Sequence, residues 1–218
     1  MQKALLKAAT AASFLFASTA AVAVAPSPST SSGPFLELGA GKAVYGLSAR
    51  AYDGKSAMSY SLTGGYRWPI SDNTAAGVEF GYVDLGTVRH RKRGTFVYAP
   101  GKPQAYTHRS SLEGHAWTLG GTIRWQWTPE WSLTGRAGLA RTDTVYRSQI
   151  LASQGSSRYW SHTSRGSLYL GVGVGYAISP HINVSVNVTH YALTGLGLAP
   201  RTSDIGVNTY GTAASLSL

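Results

Sequence analysis

A chain of 218 residues has room for one domain or for two small ones. It contains no cysteine, which excludes a disulfide framework, a Cys-ligated zinc site and a thiol nucleophile. Charged residues make up only 13%, Gly (26) and Tyr (13) are abundant, and Lys and Arg (19) outnumber Asp and Glu (9). This composition argues against a helical bundle, a coiled coil and a disordered chain, and it favours a β-rich protein whose surface does not everywhere face water.

The first residues predict an export signal. Lys3 and Lys7 precede a stretch of apolar and small residues, 8–25, that ends in Ala-x-Ala patterns. We assign residues 1–25 to a signal peptide cleaved between 20 and 25, and the Pro- and Ser-rich residues 26–34 to a flexible N-terminal segment. A retained membrane helix is the alternative, which the Ala-rich composition disfavours. Residues 35–218 are predicted to form a single β-barrel domain.

Past residue 34, apolar residues alternate with small or polar ones, which is the period of a β-strand. The clearest case places Met58, Tyr60, Leu62, Tyr66 and Trp68 on one face, with Ser, Thr, Gly and Arg residues between them. The same alternation predicts eight strands, near residues 36–41, 57–68, 76–82, 117–127, 131–139, 168–176, 182–189 and 210–218.

The connections between these strands distinguish two rims. Short turns fall at 69–73, 128–130 and 179–181, whereas long loops are predicted at about 44–57, 84–113, 141–164 and 192–204. Tryptophans gather at the short-turn rim, where they predict an aromatic girdle: Trp68, Trp125, Trp127 and Trp131. The predicted fold is therefore all-β, an eight-stranded antiparallel up-and-down transmembrane β-barrel with short periplasmic turns and long extracellular loops.

A soluble periplasmic ligand-binding barrel is the alternative fold. It would turn its apolar face inward and its polar face to water. In this sequence the polar face is mostly Gly, Ser and Thr, which suits a narrow packed interior. The apolar face carries no charge except Lys42, near a strand end where its stem could reach the interface. These features favour the membrane barrel.

Several strand sequences match a known family: FLELGAG, SLTGGYRW, GVEFGYVDLGT, WSLTGRAGLART and GVGVGYAISPHINVSVNVTHY. With them the chain resembles the OmpA-type and opacity-protein-like small barrels of Gram-negative outer membranes. The resemblance covers nearly the whole mature chain and implies an outer-membrane location. It also implies a lumen filled by a salt-bridge network. The motifs are architectural, so they specify the fold well and the function poorly.

Five charged residues share the parity of the barrel lumen, in its periplasmic half: Glu37, Arg67, Glu79, Arg124 and Arg136. Glu79 and Arg124 lie on neighbouring strands, and Arg136 lies on the next. A buried charge is costly unless it is paired and hydrogen-bonded. We therefore expect an ion network that plugs the barrel. A gated ion path is the alternative, although eight strands leave an interior just wide enough for side chains.

The excess positive charge falls in the long loops. Guanidinium groups match phosphate and sulfate geometry, which makes these loops candidates for polyanion binding. We predict contact with outer-membrane lipid and lipopolysaccharide; adhesion to host or matrix polyanions is the sharper hypothesis. Nucleic-acid binding lacks a recognised module, and a monomer is expected. The candidate residues are Arg89, Arg91, Lys92, Arg93, Lys102, Arg109, Arg147, Arg158 and Arg165.

Motifs for catalysis are sparse. Barrel deacylases of lipid A carry a His followed two residues later by Ser and then Asn, whereas this chain has Ala192 and Leu193 after His190. The six histidines show no metal-ligand spacing. We therefore expect no catalytic residues, no cofactor and no metal. The predicted function is a non-enzymatic outer-membrane barrel for envelope integrity, lipopolysaccharide contact or adhesion, with a lipid A-modifying enzyme as the alternative.

Overall fold

The computed structural model describes residues 32–46, 56–97, 103–152, 155–193 and 205–218. They form eight antiparallel strands that close into a barrel, because each strand pairs with the next and β8 pairs with β1. The predicted eight-stranded up-and-down barrel is thereby confirmed. No helix in the described ranges is both long and apolar enough to cross a membrane. The strands are β1 Gly33–Tyr45, β2 Ser56–Ser71, β3 Thr74–Val97, β4 Pro103–Gln126, β5 Trp131–Ala152, β6 Gly155–Ala177, β7 Ile182–Leu193 and β8 Ile205–Ser217.

The barrel begins slightly earlier than the sequence suggests. Gly33 and Pro34, assigned above to the flexible segment, pair with Arg67 and Tyr66 of β2. The N–H of Leu218 also donates to the carbonyl oxygen of Pro34, at 3.0 Å. These two residues join the ladder because neighbours on both sides can satisfy their backbone groups. The predicted signal peptide 1–25 lies outside the described residues.

Most of the large apolar side chains of the barrel strands point away from the lumen. Leu168 and Leu170 are 64% and 66% exposed, whereas Tyr169 between them is buried. An apolar belt of this extent would be unstable in water but suits contact with lipid. Within this belt, the alternation of exposed apolar residues with buried residues shows which side chains face lipid and which face the lumen.

Two aromatic girdles bound this belt. At the short-turn rim, the Trp125 and Trp127 rings lie 5.9 Å apart, and the Trp127 and Trp131 rings stack at 6.4 Å. Trp68 lies at the same rim and stacks with Tyr66. Towards the opposite rim, a second girdle that sequence analysis missed is formed by Phe80, Tyr82 and Trp117, with Tyr82 and Trp117 at 4.9 Å.

Two of the predicted long loops are instead strands. Pairing of β3 with β4 continues to Val97 and Pro103, and pairing of β5 with β6 continues to Ala152 and Gly155. Strands β3 to β6 contain 22 to 24 residues, whereas crossing a bilayer takes about 9–11. Their outer halves form a four-stranded sheet, β3-β4-β5-β6, that projects beyond the second girdle. The alternating pattern disappears there because water reaches both faces of the sheet.

A β-bulge in β3 marks the start of this projecting sheet. The register with β4 shifts between Asp84 and Gly86, and Gly86 has a φ of 72°. Its N–H donates to Asp84 Oδ1 at 2.8 Å. A Cβ at Gly86 would collide with the carbonyl oxygen of Met58, so both the φ and the space require glycine. The extra residue reverses side-chain parity: Leu85 and Val88 both point inward, and Arg89 points outward.

The outer half of the lumen is filled by an apolar plug. Its largest fully buried side chains come from four strands: Tyr45, Leu85, Val88, Leu112 and Val207. The Tyr45 hydroxyl donates to the carbonyl oxygen of Leu85 at 3.1 Å, which ties β1 to the bulge. The hydrophobic core of this protein therefore lies inside the barrel, at the base of the projecting sheet.

Candidate functional site

The five charged residues predicted for the lumen all lie inside it. Glu37 and Arg136 form an ion pair, with Arg136 Nη2 donating to Glu37 Oε1 at 2.9 Å. Their side chains are only 8% and 12% exposed, so water screens the pair weakly. The Arg67 guanidinium lies over the Phe35 ring at 3.7 Å, a cation–π contact that compensates part of its burial.

The prediction that Glu79 pairs with Arg124 is wrong, because these two described residues do not contact each other. Glu79 lies opposite Gly120, whereas Arg124 lies opposite Ala75, so about 13 Å of strand separates their levels. Glu79 Oε1 instead accepts a hydrogen bond from the Tyr169 hydroxyl at 2.8 Å. Within the described part of the chain, Arg124 Nε and Nη2 are buried without a hydrogen-bond partner. Parity put both residues in the lumen, but it carried no information on register.

The space around these charges is small. A cavity of about 50 Å³ lies beside Glu37, Glu79 and Arg136, enough for a few water molecules. The apolar plug lies between this cavity and the projecting sheet. This arrangement supports a filled interior rather than the gated ion path considered from sequence.

Replacing Tyr169 with Phe is expected to lower the free energy of unfolding by about 1–3 kcal/mol. The substitution leaves the buried Glu79 carboxylate without its hydroxyl donor, and an unsatisfied buried group costs roughly that amount. Tyr191→Phe is the matched control, because Tyr191 stacks on Tyr169 at 6.0 Å and is equally buried. Denaturant unfolding in detergent micelles measures the difference. Equal losses for the two variants would contradict a role of the hydroxyl bond.

Five arginines lie together on the outward face of the projecting sheet. In one cross-strand row Arg91 lies opposite Arg109, and the row continues through Gln149 to Arg158. The adjacent row places Arg89, Ser111, Arg147 and Trp160 side by side. We call this surface the arginine face, defined by Arg89, Arg91, Arg109, Arg147 and Arg158.

The arginine face forms a shallow hollow. Its volume is about 780 Å³, and Trp160 contributes to its wall. The indole of Trp160 is 72% exposed. The hollow therefore combines guanidinium donors with aromatic surface, within the volume range of ligand sites.

Carboxylates neutralise this face only in part. Arg147 Nη1 donates to Glu113 Oε2 at 3.1 Å, in a pair whose side chains are 61% and 44% exposed. Across the described ranges, the ion pairs include none of the other four arginines of the face. Below the face, Asp143 lies 3.8 Å from His115 and 3.7 Å from His162. No group of His, Asp and Glu among the described residues could hold a metal ion.

The remaining predicted basic residues lie elsewhere. Lys92 and Arg165 have the opposite parity, because Lys92 pairs with His108 and Arg165 pairs with Thr142 on the inward side of the sheet. Arg93 shares the outward side but lies one row nearer the hairpin tip, opposite Thr107. Lys102 lies outside the described residues. Sequence analysis treated these positions as one loop cluster, since strand parity was not visible there.

Comparison with known proteins gives the family. A family model described as "Outer membrane protein beta-barrel domain" matches residues 9–216. The chain therefore belongs to the outer-membrane β-barrel proteins, and its location is the outer membrane. No curated protein matches the sequence.

Similar solved structures are small outer-membrane barrels. Ail, the attachment invasion locus protein of Yersinia pestis, is 14% identical, with a TM-score of 0.49 over 86% of this chain and 100% of Ail. OprG from Pseudomonas aeruginosa is 14% identical, with a TM-score of 0.47 over 85% of this chain and 97% of OprG. Neisserial surface protein A is 15% identical, with a TM-score of 0.45 over 85% and 97% of the two chains.

Proposed function

We propose that the protein is a non-enzymatic binding protein whose arginine face binds phosphate- or sulfate-bearing glycans. The lipopolysaccharide of its own membrane is the first such ligand. The observation that carries the proposal is the direct cross-strand pairing of Arg91 with Arg109. Like charges directly opposite destabilise a sheet. A bound anion between the two guanidinium groups removes that repulsion and forms charge-assisted hydrogen bonds with both.

The location of the face supports lipopolysaccharide as the ligand. The face continues the lipid-facing side of β3 to β6 about 20 Å of strand beyond the second girdle, where the saccharide part of lipopolysaccharide carries phosphates and acidic sugars. Each arginine near an anionic membrane surface contributes about 1 kcal/mol. A role in envelope integrity follows, because a protein that neutralises neighbouring phosphates reduces their mutual repulsion.

Adhesion to host or matrix polyanions is the second candidate function. It is favoured by Trp160, whose exposed indole lies opposite Arg147 in the hollow. An aromatic ring beside guanidinium groups can stack on a sugar ring while the arginines bind its sulfates. This hypothesis predicts that Trp160 matters for binding as much as the arginines do.

Catalysis lacks support in the described part of the chain. His190 Nδ1 lies 2.8 Å from Asn208 Oδ1 rather than beside a hydroxyl nucleophile. His108 does lie beside a serine hydroxyl, with its Nε2 2.9 Å from Ser148 Oγ. Among the described residues, no carboxylate lies near His108 to orient it, as a catalytic triad requires.

The double variant Arg109→Gln with Arg158→Gln is expected to weaken binding of lipopolysaccharide and heparin about tenfold, since two charge-assisted contacts are removed. Lys92→Gln with Arg165→Gln is the matched control, because it removes the same charge from the opposite side of the sheet. Binding is measured on the detergent-folded protein at about 0.05 and 0.2 M salt, where screening of exposed charges differs strongly.

Comparing the two ligands distinguishes the two candidate functions. If the arginine double variant loses affinity for lipopolysaccharide alone, the face acts in envelope integrity. If it loses affinity for heparin alone, and Trp160→Ala shows the same loss, the face acts in adhesion. Equal binding by both double variants, or binding that is insensitive to salt, contradicts the arginine face as the site.

A further inference from the structure

A second hollow lies on the lipid-facing surface, below the arginine face. It has a volume of about 580 Å³ and crosses β4, β5 and β6 at the level of the second girdle. Leu119, Leu139 and Leu168, one from each strand, line its lower part and are each more than half exposed. Trp117, stacked on Phe80, forms one wall. We call this feature the lipid groove.

The groove exists because of a glycine. In the cross-strand row that contains Trp117 and Arg141, the third position is Gly166. Among the described residues, a Cβ at Gly166 would meet no heavy atom within 4 Å apart from those of its chain neighbours. A side chain would therefore fit there without strain. Its absence leaves a gap between bulky neighbours, where an acyl chain can approach the backbone closely, as small residues permit at packed membrane interfaces.

The guanidinium of Arg141 lies at the outer end of the groove. Arg141 Nε donates to Ser164 Oγ at 3.1 Å, which holds the guanidinium beside the gap. No carboxylate of the described residues lies within 4.0 Å of this guanidinium. An arginine at the membrane surface without an acidic partner is complementary to a lipid phosphate.

We propose that the lipid groove and Arg141 hold one molecule of a phosphorylated, acylated glycolipid of the lipid A type. Its acyl chain lies over Gly166 and its phosphate binds Arg141. The occupant is a glycolipid rather than a phospholipid because the arginine face lies farther outward on the same side of the sheet, beyond the row of Asp84, His115, Asp143 and Ser164. About 20 Å of strand separates Arg141 from Arg147, at about 3.3 Å per residue. Phosphates on a saccharide can reach both levels, whereas a phospholipid headgroup reaches only the first.

This inference deepens the proposed function by assigning the lipid part of the ligand to separate residues. The test uses full-length mature protein purified from outer membranes in mild detergent, with bound lipid counted by native mass spectrometry. We expect the wild-type barrel to retain one lipid A-type molecule. Gly166→Leu should lose it because the side chain fills the gap, and Arg141→Gln should reduce retention about tenfold through loss of a charge-assisted bond.

Gly121→Leu is the matched control, because it adds the same side chain to a lipid-facing glycine of β4 outside the groove. Heat-dependent mobility on gels verifies that each variant is folded. Retention in Gly166→Leu equal to that in Gly121→Leu overturns the proposal, as does retention of phosphatidylglycerol in place of lipid A by the wild type.

Reloading the delipidated barrel separates this proposal from the previous one. Lipid A without core saccharide should bind the wild type and the variant Arg109→Gln with Arg158→Gln equally, because neither arginine lies in the groove. If the arginine face binds no glycan, this core-free lipid is still retained. If the groove is not a site, the arginine face still binds glycan, and Gly166→Leu retains as much lipid A as the wild type.

Discussion

Replacing Glu37 with Ala is expected to lower the free energy of unfolding by about 3–5 kcal/mol. The substitution leaves the Arg136 guanidinium, 12% exposed, without the carboxylate to which it donates at 2.9 Å. When one partner of a buried ion pair is removed, the other charge remains unpaired in a medium that solvates it poorly. Denaturant titration of the barrel in lipid vesicles, followed by tryptophan fluorescence, measures the loss.

Glu113→Gln provides the control for this experiment. It breaks a pair of the same chemistry, with Arg147, but both partners are exposed to water, and such pairs contribute about 0–1 kcal/mol. In a double-mutant cycle, neutralising Arg136 as well should recover part of the Glu37 loss. The corresponding cycle for Glu79 and Arg124 should show little coupling. Strong coupling in that second cycle, with none in the first, would contradict the observed register.

Gly86→Val is expected both to destabilise the barrel, by at least about 3 kcal/mol, and to abolish glycan binding by the arginine face, because valine resists the positive φ that the bulge requires. Without the bulge, the parity of β3 runs unchanged beyond Leu85. Val88, now 2% exposed, would leave the plug, and Arg89 would take an inward position. Loss of a packed apolar side chain and burial of an unpaired charge each cost several kcal/mol.

Thr95→Val is the matched control, because it places the same side chain at an exposed position of β3 where the register with β4 is regular. The chain has no native cysteine, so a single cysteine at position 91 reports directly on which side of the sheet that residue faces. Labelling by a bulky polar reagent from the outward side should persist in Thr95→Val and fall in Gly86→Val. Unchanged labelling in both would show that the bulge does not set the parity.

The barrel itself could be predicted because lipid and lumen impose opposite demands on alternate residues. Leu36 and Leu38 face lipid, and Glu37 between them faces the lumen, so the alternation is legible from residue types alone. The projecting sheet could not be predicted in this way. Around Arg89 and Arg91 the residues on both faces of the strand are polar, so apolar and polar residues do not alternate in the sequence there.

Register was the second limit of sequence analysis. Parity placed Glu79 and Arg124 in the lumen, but which side chains meet depends on how neighbouring strands are offset. Tyr169 became the partner of Glu79 through a tertiary contact across the barrel. The bulge at Gly86 had a local signal, a glycine two residues after an aspartate that caps its N–H. Without the partner strand, that signal did not distinguish a bulge from an ordinary loop.

The length of β3 to β6 has a consequence for assembly. The outer halves of these strands carry the arginine face, and the protein reaches the membrane from the periplasmic side. Every one of these guanidinium groups must therefore travel through the hydrocarbon layer before the barrel closes. At about 2.5–3.5 kcal/mol for each arginine at the bilayer centre, two charged hairpins present a substantial barrier. We expect the crossing of this barrier, rather than formation of the strand ladder, to be the slow step of insertion, and we expect local thinning of the membrane to lower the barrier.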